Sequence, residues 1–166
     1  MSRHFVLIGL MGSGKTTVGE MLADRLQRRF IDSDRWIEGR TGRTVKQILA
    51  DEGVDGLRHH EGAALLDALA QPEPAVIAAA GGTVLLESLR HAMIAAEADV
   101  IWLSGTPALL AGRVPAGAHR PWIETDPAGT LQRMYNEREG FYREVADRIV
   151  EIDALSPEQI VDWILA

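Results

Sequence analysis

The chain alternates short runs that are apolar at nearly every position with longer stretches whose apolar residues recur every three or four positions. His4-Phe5-Val6-Leu7-Ile8, Ala75-Val76-Ile77-Ala78-Ala79-Ala80 and Asp99-Val100-Ile101-Trp102-Leu103 are runs of the first kind. Their continuity suits strands covered on both faces, as in parallel sheets. Arg29-Phe30-Ile31-Asp32-Ser33-Asp34 reads as a shorter strand ending in two acids, and Arg148 to Ile152 as the last strand. Between the strands, Val18, Met21, Leu22 and Leu26 form a helical stripe. Leu89, Met93 and Ala96 do the same in a helix predicted over 86–98, and Leu131, Met134, Tyr135 and Arg138 in one that ends near Phe141 and Tyr142.

Helix starts are marked by caps. Thr106-Pro107 and Asp126-Pro127 place a capping side chain before a proline at the first helical position, and Ser156-Pro157-Glu158-Gln159 has the capping-box pattern. Thr41-Gly42-Arg43-Thr44 predicts a turn into a short helix with Val45, Ile48 and Leu49 inward. A second helix is expected after Asp51-Glu52-Gly53, with Leu57, Glu61 and Leu65 along one face and Arg58 beside them. Strands alternating with helices predict an α/β fold.

Composition narrows the possibilities. With 166 residues, 46% hydrophobic and 25% charged, one globular domain over 1–166 is expected. A net charge of −7 argues against a nucleic-acid partner, because no basic surface is available for a phosphate backbone. The absence of cysteine excludes disulfides, thiolate catalysis and Cys-based zinc sites. No signal peptide precedes the first strand and no run is long enough to span a bilayer, so no membrane partner is expected and the compartment expected is the cytoplasm.

The chemistry centres on Gly9-Leu10-Met11-Gly12-Ser13-Gly14-Lys15-Thr16, a complete Gly-x-x-x-x-Gly-Lys-Thr phosphate-binding loop between a strand and a helix. Its glycines permit turns that aim successive N–H groups, including those of Gly12, Ser13 and Gly14, at a polyphosphate. The helix that follows presents its positive end to the same anion. Lys15 reaches the terminal phosphates, the Thr16 hydroxyl suits Mg²⁺, and Thr17 adds a donor. A dinucleotide fingerprint fails because Thr17 stands where its third glycine belongs.

Further candidates fall at the carboxyl ends of the other strands, where open parallel sheets bind ligands. Asp32 and Asp34 would point the same way if the strand continued, one holding Mg²⁺ and the other an acceptor hydroxyl. Gly81-Gly82 permits close approach of backbone to ligand. Arg58 offers a fork for a carboxylate or phosphate; the alternative is a pair with Glu61 on a solvated face. The stretch 112–122 reads as a lid loop whose Arg113 and Arg120 close over a triphosphate. Arg138 lies on an apolar helix face, where it either snorkels or meets an anion.

In order and spacing, Gly9 to Thr17, Asp32-Ser33-Asp34, Thr41-Gly42, Arg58 with Glu61, Gly81-Gly82, Arg120-Pro121 and Arg138 together resemble the shikimate kinases. The resemblance implies a P-loop NTPase-type α/β/α sandwich with a five-stranded parallel sheet in the order 2-3-1-4-5. It also implies a substrate-binding insertion at about 33–61 and a lid at about 112–124. The implied reaction is ATP-dependent phosphorylation of shikimate to shikimate 3-phosphate in aromatic amino-acid biosynthesis, with Mg²⁺. By the same resemblance, Asp32 and Thr16 hold the metal, Asp34 contacts the acceptor hydroxyls, and Arg58 and Arg138 grip the carboxylate. Lys15, Asp34 and Arg120 are the catalytic residues implied. Arg113, Arg120 and Pro157 lie at the nucleotide, with Leu155 to Pro157 in the adenine loop. An ordinary aspartate pKa of about 3.9 makes positioning, rather than strong general-base action, the role expected of Asp34.

The sequence departs from the family where Ala80 replaces a glycine, where Leu49 and Leu57 stand for pocket phenylalanines, and where Trp122 follows Arg120-Pro121. All border the acceptor pocket. A kinase of another small polyol or cyclitol acid, or a nucleotide-binding regulatory protein without turnover, are the alternatives. A monomer acting on a small hydroxy acid is expected.

Overall fold

The computed structural model describes residues 3–114, 123 and 125–166. Five strands form its sheet: β1 (His4–Ile8), β2 (Arg29–Asp32), β3 (Ala75–Ala78), β4 (Ala98–Ser104) and β5 (Arg148–Glu151). Their order is β2-β3-β1-β4-β5, and all four pairings are parallel. This is the order that the resemblance implies.

Seven α-helices accompany the strands among the described residues: α1 (Lys15–Leu26), α2 (Ser33–Thr41), α3 (Val45–Leu69), α4 (Glu87–Ala95), α5 (Pro107–Arg113), α6 (Pro127–Val145) and α7 (Pro157–Leu165). The step from β1 to β2 runs one way along the sheet, and every later step runs the other way. Right-handed crossovers therefore put α1 on one face and α3, α4 and α6 on the other. α7 packs against α1, and α4 and α6 pack against each other and against β4. With both faces covered, the central strands are buried at most positions: Val6, Leu7, Val76 and Ile101 show no exposure. Trp102 of β4 stacks on Tyr142 of α6, with ring centroids 5.4 Å apart. Among the described residues no helix is long and apolar enough to cross a membrane.

The structure departs from the sequence expectations at several boundaries. β2 stops at Asp32, and α2 starts at once. The Asp32 side chain accepts from the Arg35 N–H as an N-cap, so it ends the strand instead of continuing it. Asp32 and Asp34 are thus a cap and a first-turn residue, not neighbours along one strand face. Arg113 lies in the last turn of α5 rather than in a loop. α4 covers Glu87–Ala95, shorter than expected at both ends, because Ala98 already pairs with His4 as the first residue of β4. Gly53, at φ 71° and ψ −172°, breaks α3 into the two expected segments.

Candidate active site

Since the connections leaving the parallel neighbours β1 and β3 run opposite ways across the sheet, the crevice at their carboxyl ends is where this topology places a ligand. The phosphate-binding loop follows β1, and Gly81-Gly82 follows β3. The two approach closely: a Cβ on Gly81 would stand 3.1 Å from the Gly9 carbonyl. Gly9, Gly12 and Gly14 take φ of 144°, 80° and 90°, which is what lets the loop fold back around its own N–H groups. Gly14 then caps α1, whose first residues are Lys15 and Thr16.

Within this loop the Lys15 ammonium donates to the Gly9 and Leu10 carbonyls at 2.7 and 3.1 Å. The Thr16 hydroxyl donates to Asp32 Oδ2 at 2.7 Å, joining the start of α1 to the end of β2. This hydroxyl and carboxylate are a hard-oxygen pair that fits a divalent cation. Among the described residues no group of three or more His, Cys, Asp or Glu could hold a metal by itself. That chemistry suits an ion such as Mg²⁺, which completes its shell with phosphate and water.

A second set of charges lies beyond the loop. Arg58 and Glu61 come from the later segment of α3, after the Gly53 break. The alternative of an exposed pair is excluded by burial, since Glu61 is only 5% exposed and both residues line the cavity described below. A Cβ on Gly82 would overlap Arg58 Nη1 and stand 3.5 Å from Glu61 Oε2. Gly82 is therefore needed to seat the Arg58 guanidinium, in addition to any closeness to a ligand. Arg138, from the middle of α6, is 7% exposed, and its Nε has no hydrogen-bond partner among the described residues. A buried cation with unmet donors is costly unless an anion joins it.

Tyr142, one turn after Arg138, donates from its hydroxyl to the Gly81 carbonyl at 2.8 Å. Burial pushes its phenol up to about 12, against the opposing effect of the Arg138 charge. Sequence reasoning places Tyr142 only at a helix end; its helical spacing from Arg138 was the available signal, and that pattern also describes ordinary core.

All these elements border one cavity of about 490 Å³. Gly12 through Thr17, Asp32, Arg113 and Pro157 line it, and so do Asp34, Arg58, Gly81, Gly82 and Arg138. Arg113 Nη1 is 3.4 Å from the Gly12 carbonyl, which sets α5 against the loop. Ala80 and Leu57 also lie on the wall. Leu49 does not belong with them as expected; it packs, partly buried, against the small cluster of Ile37, Val45, Ile48, Leu57 and Ala64. Arg120, Pro121, Trp122 and most of the expected lid lie outside the described residues.

Known proteins resemble this chain in sequence and in fold. A shikimate kinase from Chromobacterium violaceum is 41% identical over 152 residues, 91% of this chain and 82% of that protein. One from Symbiobacterium thermophilum is 41% identical over 165 residues, covering 98% and 94% of the two chains. Among solved structures, the shikimate kinase from Acinetobacter baumannii in complex with shikimate superimposes with a TM-score of 0.93 at 31% identity, covering 99% of this chain and 92% of that one. The family described as Shikimate kinase matches residues 11–166. On sequence and topology alike, the chain belongs to the shikimate kinase family.

Proposed function

We propose that this chain transfers the γ-phosphoryl group of ATP to a hydroxyl of shikimate, giving ADP and shikimate 3-phosphate for aromatic amino-acid biosynthesis. The observation that carries this reading is the meeting of a phosphate-binding loop and a buried, incompletely partnered Arg138 on one cavity wall, in a member of this family.

In the reaction the acceptor oxygen forms a bond to the γ-phosphorus and its hydroxyl proton is released to water, the bond to the β,γ-bridging oxygen breaks, and ADP leaves with that electron pair. Little covalent chemistry falls to the protein, so positioning and charge stabilisation dominate. Lys15 leaves the Gly9 and Leu10 carbonyls for the phosphates, while the N–H groups of Gly12 to Thr17 cradle them. Arg113 and Pro157 flank the nucleotide, and Arg120 from the lid, 112–124, adds positive charge at the transferring group. Mg²⁺, held by Thr16 and Asp32, supplies further charge neutralisation when bound.

On the acceptor side, Asp34 aligns the hydroxyl. Arg58 and Arg138 take the carboxylate, and the backbone of Gly81 and Gly82 closes that end. The residues 33–61 form the acceptor wall of a single kinase domain, 1–166, working as a cytoplasmic monomer without nucleic-acid or membrane partners.

Product analysis tests the reading. With ATP, Mg²⁺ and shikimate, mass spectrometry should find a monophosphorylated shikimate formed one-for-one with ADP. Turnover with gluconate-like or cyclitol acids but not with shikimate would reassign the acceptor, and ATP binding with no acceptor-stimulated turnover would remove the kinase reading.

A further inference from the structure

Arg90 lies on α4, away from the cavity lining, and is only 9% exposed. Its guanidinium joins the turn after Gly81-Gly82 to α6. Nη1 donates to the Val84 carbonyl at 2.7 Å, in the 3₁₀ turn Thr83–Leu85 that directly follows Gly81-Gly82. Nε stands 3.1 Å from Glu144 Oε2, an ion pair rather than an aligned hydrogen bond. The guanidinium carbon is 4.2 Å from the ring centroid of Phe141, within cation–π distance.

Phe141 and Glu144 belong to α6, the helix that carries Arg138 and Tyr142. Tyr142 already ties the Gly81 carbonyl to that helix. The segment from Gly81 to Val84 is therefore fastened to α6 twice, at its start by Tyr142 and at its end by Arg90. Between these two attachments sits Gly82, against which the Arg58 guanidinium rests. An arginine that merely filled space on this helix would carry a desolvation cost that an aliphatic residue avoids.

We propose that Arg90 is a positioning residue for acceptor recognition: by holding the 83–85 turn on α6 it fixes the spacing between Arg58 and Arg138. The inference rests on the kinase reading above. Two forks that take one planar carboxylate must be held to a fraction of an ångström, so a small shift of the turn weakens acceptor binding before it affects the nucleotide.

The test is steady-state kinetics of Arg90→Met and Arg90→Lys beside the wild type, with ATP and shikimate varied separately. Arg90→Met should raise the shikimate KM about 10-fold and leave the ATP KM within about 2-fold, a split that general loosening of the fold would not give. Arg90→Lys retains a donor for the Val84 carbonyl and should recover part of the loss. In an Arg138→Lys background the same Arg90→Met change should cost only about 2-fold, because the two residues act through one contact. Equal rises in both KM values, or an undiminished loss in that background, would make Arg90 structural only. If Arg90→Met does not fold, Glu144→Gln, altered at a 41% exposed side chain, carries the test and should show the same split at about 3-fold. A wild-type enzyme without shikimate-dependent ADP release defeats the kinase reading and this inference with it. Normal wild-type turnover with an unchanged shikimate KM in the variants defeats the inference alone.

Discussion

Arg58 occupies the space that a side chain at Gly82 would fill: an ideal Cβ there overlaps Nη1 and lies 3.3 Å from Cζ. Gly82 has φ −85°, so an alanine is free of backbone strain, and its methyl group would meet the movable end of a long side chain. Gly82→Ala should therefore change the melting temperature by less than about 2 °C while displacing the guanidinium. The shikimate KM should rise about 10-fold with the ATP KM unchanged, as measured by separate substrate titrations.

Thr16 and Asp32 share a hydrogen bond, and Asp32 also caps α2. Asn at position 32 keeps a capping oxygen but loses the charge, which separates the two duties. Asp32→Asn should hold its fold, as judged by circular dichroism, and require about 10-fold more Mg²⁺ for half-maximal turnover. An unaltered Mg²⁺ titration would take Asp32 out of the metal site.

Tyr142 couples the acceptor side of the site to the core, because its hydroxyl bonds Gly81 while its ring stacks on Trp102. Tyr142→Phe removes the hydrogen bond to the part-buried Gly81 carbonyl, a loss of about 1 kcal/mol, or roughly 2–4 °C in melting temperature for a chain of this size. Its alkaline behaviour should change too. Burial raises the folded phenol from 10.0 to about 12, so between those values the unfolded chain releases a proton that the folded chain retains. That contribution to stability is complete below about pH 10 and is lost as pH rises towards 12. Thermal melts from pH 9 to 12 should therefore show a steeper alkaline decline in the wild type than in Tyr142→Phe; parallel curves would contradict the assigned shift.

Asp34 lines the cavity with Arg58 and Arg138. If it aligns the acceptor hydroxyl, Asp34→Asn should lower kcat by at least about 100-fold while fluorescent-nucleotide titration shows ATP binding nearly intact. Wild-type turnover in this variant would remove Asp34 from the reaction.

Much of the fold was legible because buried parallel strands are written as unbroken apolar runs, and β1, β3 and β4 are of that kind. The loop from Gly9 to Thr16 was legible for a different reason: its chemistry demands particular residues at fixed spacing. α2 was not, since its nine residues include only Trp36 and Ile37 as large apolar positions, and Asp32 serves equally well as a strand end and a helix cap. The overlap of Arg58 with Gly82, the Tyr142 bond to Gly81 and the Arg90 link to Val84 each join residues distant in sequence. No local pattern encodes such contacts, and a lone arginine on an Ala-rich helix looks like a solvated one until the packing around it is known.

The central claim is that a carboxylate-bearing acceptor is held by Arg58 and Arg138 while ATP phosphorylates its hydroxyl. Its most direct test is ADP release with shikimate compared with shikimate methyl ester, each against a no-acceptor control. The ester keeps the ring hydroxyls and removes the charge, so kcat/KM should fall by about 100-fold or more, the equivalent of losing charge-assisted bonds to two arginines. Equal rates with the two compounds, or ADP release that ignores both, would contradict it.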